Sequence, residues 1–261
     1  MPRFAANLSW LFTELPLPER FRTAKAAGFE GAEILFPYDE PAAHLAECAR
    51  LENLPIVLIN APPPNWTGGE RGYAAIPGGE ARFEKDFERA LRFAEVLKAQ
   101  HLHLMAGSAE GAEAKAAFLR NLRWAAARAP KQSLTIEPIN RTDMPGYFLS
   151  DFREAMEIVA AVGAPNLGLQ FDAYHAWMIH NDPMAMWELC APSVRHIQIA
   201  GAPGRREPSD SEIDYPAFFR AVGASGYQGW ISAEYRPRGR TEDGLSWLPA
   251  PEAQPLRAKR R

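Results

Sequence analysis

Four short apolar runs carry groups that titrate or bind metal. SLTIEPI (133–139) contains Glu137, and LGLQFD (167–172) ends in Asp172 with His175 three residues on. VRHIQIA (194–200) alternates His196 with Gln198, and GWISAEY (229–235) contains Glu234. Three carboxylates brought together without a counter-charge raise one another's pKa, a penalty that a divalent cation reverses. Carboxylate and amide oxygens are hard ligands, suited to Mg²⁺ or Mn²⁺ rather than to a thiolate zinc site. Taken singly, each glutamate reads more readily as a solvated or salt-bridged group than as a ligand. His196 reads also as a hydrogen-bonded core histidine, His101 and His103 as packing, and His44 and His180 as surface residues. The coincidence of four runs favours a metal site over four separate accidents.

Such groups converge only if the runs are neighbouring strands of one sheet. The chain alternates β-branched or apolar runs with Ala-, Leu-, Glu- and Arg-rich segments at helical spacing, the pattern of repeated βα units. Strands are expected at 4–8, 31–36, 55–60, 101–107, 133–139, 167–172, 194–200 and 229–235. Helices are expected at 19–28, 41–52, 81–99, 113–129, 150–163, 183–191 and 214–226. Gly28, Gly163 and Gly226 close three of these helices, where left-handed backbone is wanted. Ser150 is expected to cap the fifth, with Asp151 and Glu154 favouring its positive end.

Eight units in 261 residues match an α/β fold of the (β/α)8 TIM-barrel type, in which loops after the strands surround the active-site mouth. The Pro- and Gly-rich stretch 61–82 follows the third strand and reads as a lid. No GxGxxG follows the first strand, which disfavours NAD. Residues 1–247 read as a single barrel domain and 248–261 as a poorly ordered Pro-rich and basic tail.

Composition narrows the function classes. With 47% hydrophobic and 23% charged residues the chain can bury a large core. A net charge of -3 and a pI near 6.1 supply no field for nucleic acid or an anionic membrane, so a small-molecule substrate is expected. The N-terminus shows no signal-peptide pattern and no apolar run approaches spanning length, which predicts a cytoplasmic protein. Cys48 and Cys190 are too few for a disulfide framework and read as buried free thiols. Trp66 and Trp177 read as belonging to a substrate lid or to the interface of a homo-oligomer.

NLSWLF (7–12), FPYD (36–39), GERG (69–72), IEPIN (136–140), QFDAYH (170–175), HIQIA (196–200) and the stretch from EIDY to GLSW (212–247) together resemble the hydroxypyruvate isomerase family, a branch of the xylose-isomerase-like TIM barrels. The resemblance runs in order from about residue 3 to 247. It implies a divalent metal held by Glu137, Asp172, Gln198 and Glu234, with Glu137 and Glu234 also the proton donor and acceptor. In the broader superfamily a histidine often stands at the position of Gln198, so the amide marks this branch. The implied reaction interconverts hydroxypyruvate and tartronate semialdehyde through a cis-enediolate, one carboxylate removing a carbon-bound proton and the other returning one.

Recognition of a short hydroxy-oxo acid also needs a partner for its carboxylate. Arg71 and Arg205 are candidates, because a guanidinium binds a carboxylate through two parallel hydrogen bonds. His175 is a candidate to bind a substrate oxygen or to support the metal shell, and Glu70 to pair with an arginine of the lid. One departure concerns substrate choice. Where the family has a stretch like HRGEPGTGE, this chain has GRREPSDSE (204–212), which removes two glycines and adds charge at Arg206 and Asp210. A 2-oxo-tetronate isomerase, a sugar 3-epimerase and a non-catalytic metal or sugar-acid binding barrel are the alternatives.

Overall fold

The computed structural model describes residues 2–61 and 71–249. Eight parallel strands, β1 (Arg3–Asn7), β2 (Gly31–Glu33), β3 (Ile56–Asn60), β4 (His101–His103), β5 (Ser133–Ile136), β6 (Leu167–Asp172), β7 (Val194–Ile199) and β8 (Trp230–Ala233), close into one barrel in sequence order. The last strand pairs back onto the first, with Arg3 opposite Trp230 and Ala6 opposite Ala233. The (β/α)8 expectation is met. Most strands are shorter than the apolar runs, because the ladder stops near the rim while the apolar sequence continues into the loops. Glu137 and Glu234 therefore stand just past β5 and β8, on backbone that has left the ladder or is leaving it.

Helices α1 (Leu17–Ala26), α2 (Ala42–Leu51), α3 (Glu80–Leu97), α4 (Gly111–Arg128) and α5 (Phe152–Val162) follow the first five strands. In α3, Phe83, Phe87, Ala90, Leu91, Ala94 and Leu97 are buried, one stripe at helical spacing. Asp151, not Ser150, caps α5, its carboxylate accepting from the backbone N–H of Arg153 at 2.7 Å and of Glu154 at 3.0 Å. Gly163 closes that helix at φ 65°.

Two helices, α6 (Ala173–His180) and α7 (Pro183–Cys190), separate β6 from β7, and α8 (Tyr215–Ala224) precedes β8. The sequence reading missed α6. Its first four residues are all buried, some toward the barrel mouth and some toward the core, so it has no apolar stripe to betray it. Asp172 caps α6, accepting from the Tyr174 N–H at 2.8 Å, so one residue ends a strand and opens a helix.

The main apolar core lies between sheet and helices. Phe171 on β6 packs among Phe152, Trp187 and Phe218 with ring centroids 5.2 to 5.9 Å apart. The barrel floor is a smaller apolar patch of Ala5, Val57, Leu58 and Trp230. Above it the lumen is polar. Glu33 on β2 meets His196 and Gln198 on β7, strands that are not neighbours, so these side chains cross the interior.

Cys190 is buried and Cys48 half-buried, both as free thiols. His44 is exposed, whereas His180, read as a surface residue, is half-buried with Nε2 3.6 Å from Asp151. Among the described residues no helix is long and apolar enough to cross a membrane. Glu70, Trp66 and the expected tail from residue 250 lie outside the described residues, and Trp177 is half-buried.

Candidate active site

A cavity of about 360 Å³ opens at the C-terminal rim. Glu137, Gln198, Glu234, His175, Arg205 and Arg71 all line it, and Asp172 is buried against His175 and Arg205. The predicted ligands, acid–base pair and substrate-binding residues that the structure describes thus meet at one place. Glu137, Asp172 and His175 offer ligand atoms within 4.8 Å of one another. Asp172 divides its labour: Oδ1 caps α6, and Oδ2 is buried with no hydrogen-bond partner. A buried carboxylate oxygen without a hydrogen-bond partner, beside the Glu137 carboxylate and with Glu234 on the same cavity, is a donor set that a hard divalent cation fits.

The electrostatics of these acids follow from burial and crowding. Burial, then the neighbouring Glu234 and Asp172, push the Glu137 carboxyl well above the usual carboxylate range. Burial likewise raises Glu234 well above that range, although Arg205 opposes it. Asp172 is raised by burial to about 6, with Arg205 and the backbone N–H groups of Tyr174 and His175 holding it down. A cation bound beside these acids would favour their ionised forms and release protons on uptake.

Arg205 is the resident cation. Its Nη2 lies 3.1 Å from Glu234 Oε1 and 3.6 Å from Asp172 Oδ2, while Nη1 lies 3.6 Å from Asp143. Trp10 and Tyr174 flank the guanidinium, their ring centroids 4.9 and 5.1 Å from Cζ. Burial works against its charge, but Glu234, Asp172, Glu137 and Asp143 together raise its pKa. Arg71 is exposed at the rim.

The tautomer of His175 follows from its neighbours. The Asp143 N–H donates to Asn140 Oδ1 at 2.9 Å, which turns the Asn140 amide nitrogen toward His175 Nδ1 at 2.7 Å. Nδ1 therefore accepts, and the ring proton sits on Nε2, 3.5 Å from Asp172 and 3.8 Å from Glu137. Burial, then Arg205, lowers the His175 pKa well below its ordinary value, so the ring is neutral. In this form it is a hydrogen-bond donor to an acid or a substrate oxygen.

Four site residues escaped the sequence reading. Glu33 accepts from Asn7 Nδ2 at 2.7 Å and Gln198 Nε2 at 2.6 Å on one oxygen, and from His196 Nε2 at 2.6 Å on the other. Gln170 donates to Gln198 Oε1 at 2.7 Å and Glu137 Oε2 at 2.9 Å, and accepts from Thr135 at 3.2 Å. This chain fixes which atom each amide presents: Gln198 gives its nitrogen to Glu33 and its oxygen to Gln170. Asn140 sets His175, and Asn60 lines the cavity from the end of β3. Gln170 shares the face of Asp172 by strand alternation, which was a usable signal. Glu33 sits in a three-residue strand, too short for alternation to show.

The GRREPSDSE departure turns its added charges away from the cavity. Arg206 donates to the carbonyls of Arg236 at 3.3 Å and Pro237 at 3.4 Å, and Asp210 pairs with Arg238. Glu207 accepts from the Arg238 N–H at 2.8 Å. Those residues tie the loop after β7 to the loop after β8, and of the 204–212 stretch only Gly204 and Arg205 line the cavity. Arg205 takes φ 52° without being glycine, a conformation that costs energy and persists where surroundings enforce it.

The profile of a family described as a xylose isomerase-like TIM barrel matches residues 21–250. A 2-oxo-tetronate isomerase of Cupriavidus necator is 45% identical over 254 residues, covering 95% of this chain and 98% of that protein. A putative hydroxypyruvate isomerase of Homo sapiens is 43% identical over 259 residues, covering 94% of each. Among solved structures, one titled AP endonuclease, family 2, from Brucella melitensis superposes with a TM-score of 0.92 at 44% identity, covering 95% of this chain and 98% of that one.

Proposed function

The chain belongs to the xylose isomerase-like TIM barrel family, and on that footing we propose that it is a metal-dependent isomerase interconverting hydroxypyruvate and tartronate semialdehyde through a cis-enediolate. The observation that carries this reading is the convergence of Glu137 and Glu234, from strands three apart in the ring, on one cavity that also holds the orphaned Asp172 oxygen. The ligands are Glu137, Asp172, Gln198 and Glu234. A Mg²⁺ or Mn²⁺ ion held by them would supply electrostatic stabilisation of the oxyanion that develops on the substrate.

The side chains supply the rest. Gln170 donates to Glu137 Oε2 at 2.9 Å and so orients the carboxylate that takes the carbon-bound proton, while its Oε1 faces His175 Nε2 at 3.8 Å. Glu234, on the other arc of the mouth, returns a proton to the adjacent carbon. His175 donates a hydrogen bond from its Nε2–H to a substrate oxygen and keeps its proton. Arg205 stabilises the substrate carboxylate from between Trp10 and Tyr174, with Arg71 at the rim.

A second reading, isomerisation of a 2-oxo-tetronate, keeps every one of these roles and is supported by the Cupriavidus relative. Incubation with hydroxypyruvate and with 2-oxo-tetronates in deuterated buffer, with Mg²⁺ or Mn²⁺ added, tests both. The expected result is an isomer carrying solvent deuterium. No isomer and no exchange on any of these acids overturns the proposal; metal binding without turnover assigns the barrel to binding alone. Inversion at a ketohexose C3 with no activity on the acids points to an epimerase.

A further inference from the structure

The cavity wall opposite Arg205 holds a buried amide donor with no good acceptor. Asn60, 5% exposed, ends β3 and lines the cavity. Its backbone is tied on both sides, the N–H donating to the Leu35 carbonyl at 2.9 Å and its own carbonyl accepting from the Tyr38 hydroxyl. Its side-chain oxygen faces His103 Nδ1 at 3.1 Å. Glu137 Oε2 lies 3.7 Å from the same nitrogen and favours a proton there, so His103 donates to Asn60 Oδ1. The amide nitrogen is thereby turned away from His103. The one partner it has among the described residues is Met105 Sδ at 4.0 Å, a weak acceptor at long range. A buried N–H₂ group left this way is a binding site for an acceptor on a ligand.

The position of that donor says which part of a ligand it meets. β3 stands four strands from β7 in a ring of eight, directly across the mouth from Arg205. A hydroxy-oxo acid with its carboxylate at Arg205 and its reacting carbons between Glu137 and Glu234 points its remaining carbons at Asn60. In a three-carbon acid the reacting carbons are the last two, and nothing extends past them. In a four-carbon 2-oxo-tetronate a terminal hydroxymethyl group does.

We propose that Asn60, held by His103 as a positioning residue, is a specificity determinant that binds the terminal hydroxyl of a four-carbon hydroxy-oxo acid. This rests on the isomerase reading and selects within it, toward the longer acid.

The test compares kcat/KM for a 2-oxo-tetronate with that for its 4-deoxy analogue, 3-hydroxy-2-oxobutanoate, which lacks only that hydroxyl. The wild-type protein is expected to prefer the hydroxylated acid by roughly 3- to 10-fold, the size of one neutral hydrogen bond. Asn60→Ala and Asn60→Leu, the latter close in volume, are expected to bring the ratio near one, and His103→Phe to lower it. Circular dichroism melting confirms that each variant is folded. A wild-type ratio near one overturns the inference with no variant needed. So does a ratio that stays high in a folded Asn60 variant. Absence of turnover on all three-carbon and four-carbon acids would instead sink the isomerase reading beneath it.

Discussion

Two regions of this barrel are built on opposite principles. Outside the sheet, Phe152, Phe171, Trp187 and Phe218 pack ring against ring with their apolar surface removed from water. Inside it, Asn7, Glu33, Gln170, Gln198 and His196 fill the lumen through directed hydrogen bonds of 2.6 to 2.7 Å. The jacket tolerates rearrangement because dispersion and burial are non-directional. The lumen does not, since each buried donor needs its own acceptor. The difference teaches where stability and chemistry are separated: the jacket holds the barrel together, and the lumen is spent on orienting acids that would be more stable neutral.

The largest expected effect falls on the lumen's chemistry and not on its stability. Glu137→Gln should lower kcat roughly 10²–10⁴-fold, the usual worth of a placed acid or base. A carboxyl whose folded pKa is raised costs stability once pH exceeds its unfolded pKa, so the amide should raise the metal-free melting midpoint at neutral pH. Turnover and calorimetry on the same preparation check both, and a lower midpoint would erase the contrast.

Trp187→Ala probes the jacket. It should cost about 3–5 kcal/mol in denaturant titration, the same at pH 5 as at pH 7 because no titrating group is involved. A strongly pH-dependent cost would show that the two regions are coupled.

Acid should act through the lumen. Burial, then His196 and Arg195, hold His101 at about 3, and burial with His196 holds His103 at about 3. For a group whose folded pKa is depressed, the stability is present above the unfolded value near 6.5 and is lost as pH falls toward the folded one. Between pH 6.5 and 5 each histidine forfeits about 2 kcal/mol. The raised acids work against this loss over the same interval, so the readout is a difference. His101→Gln should reduce the loss in unfolding free energy between pH 7 and 5 by about 2 kcal/mol relative to wild type, read by denaturant titration at both pH values.

The smallest effect belongs to the rim. Asp210→Gly breaks an exposed pair with Arg238 and should change stability by no more than about 1 kcal/mol. A larger loss, seen in the melting midpoint, would make the loop stitch a third structural region.

The sites most legible in the sequence were those where a charge interrupts an apolar run at its end. Glu137, Asp172 and Glu234 stood out because strand interiors of a barrel are ordinarily apolar, and Gln198 because it alternates with His196. Glu33 and Gln170 were missed since each lies within its run, where one polar residue has many bland readings. Helix α6 was missed because its buried residues serve two different surfaces and follow no single period.

By itself the sequence determined the alternation of strands and helices, and hence the barrel, because hydrophobic periodicity and capping are local properties of neighbouring residues. It also determined which strand ends carry acids. The tertiary structure decided everything that depends on which atom faces which: the proton on His175 Nε2, the oxygen that Gln198 turns to Gln170, the commitment of Arg205 to Glu234, and the unused nitrogen of Asn60. These are choices made by hydrogen-bond partners 28 to 43 residues apart, whose encounter only the closed barrel creates.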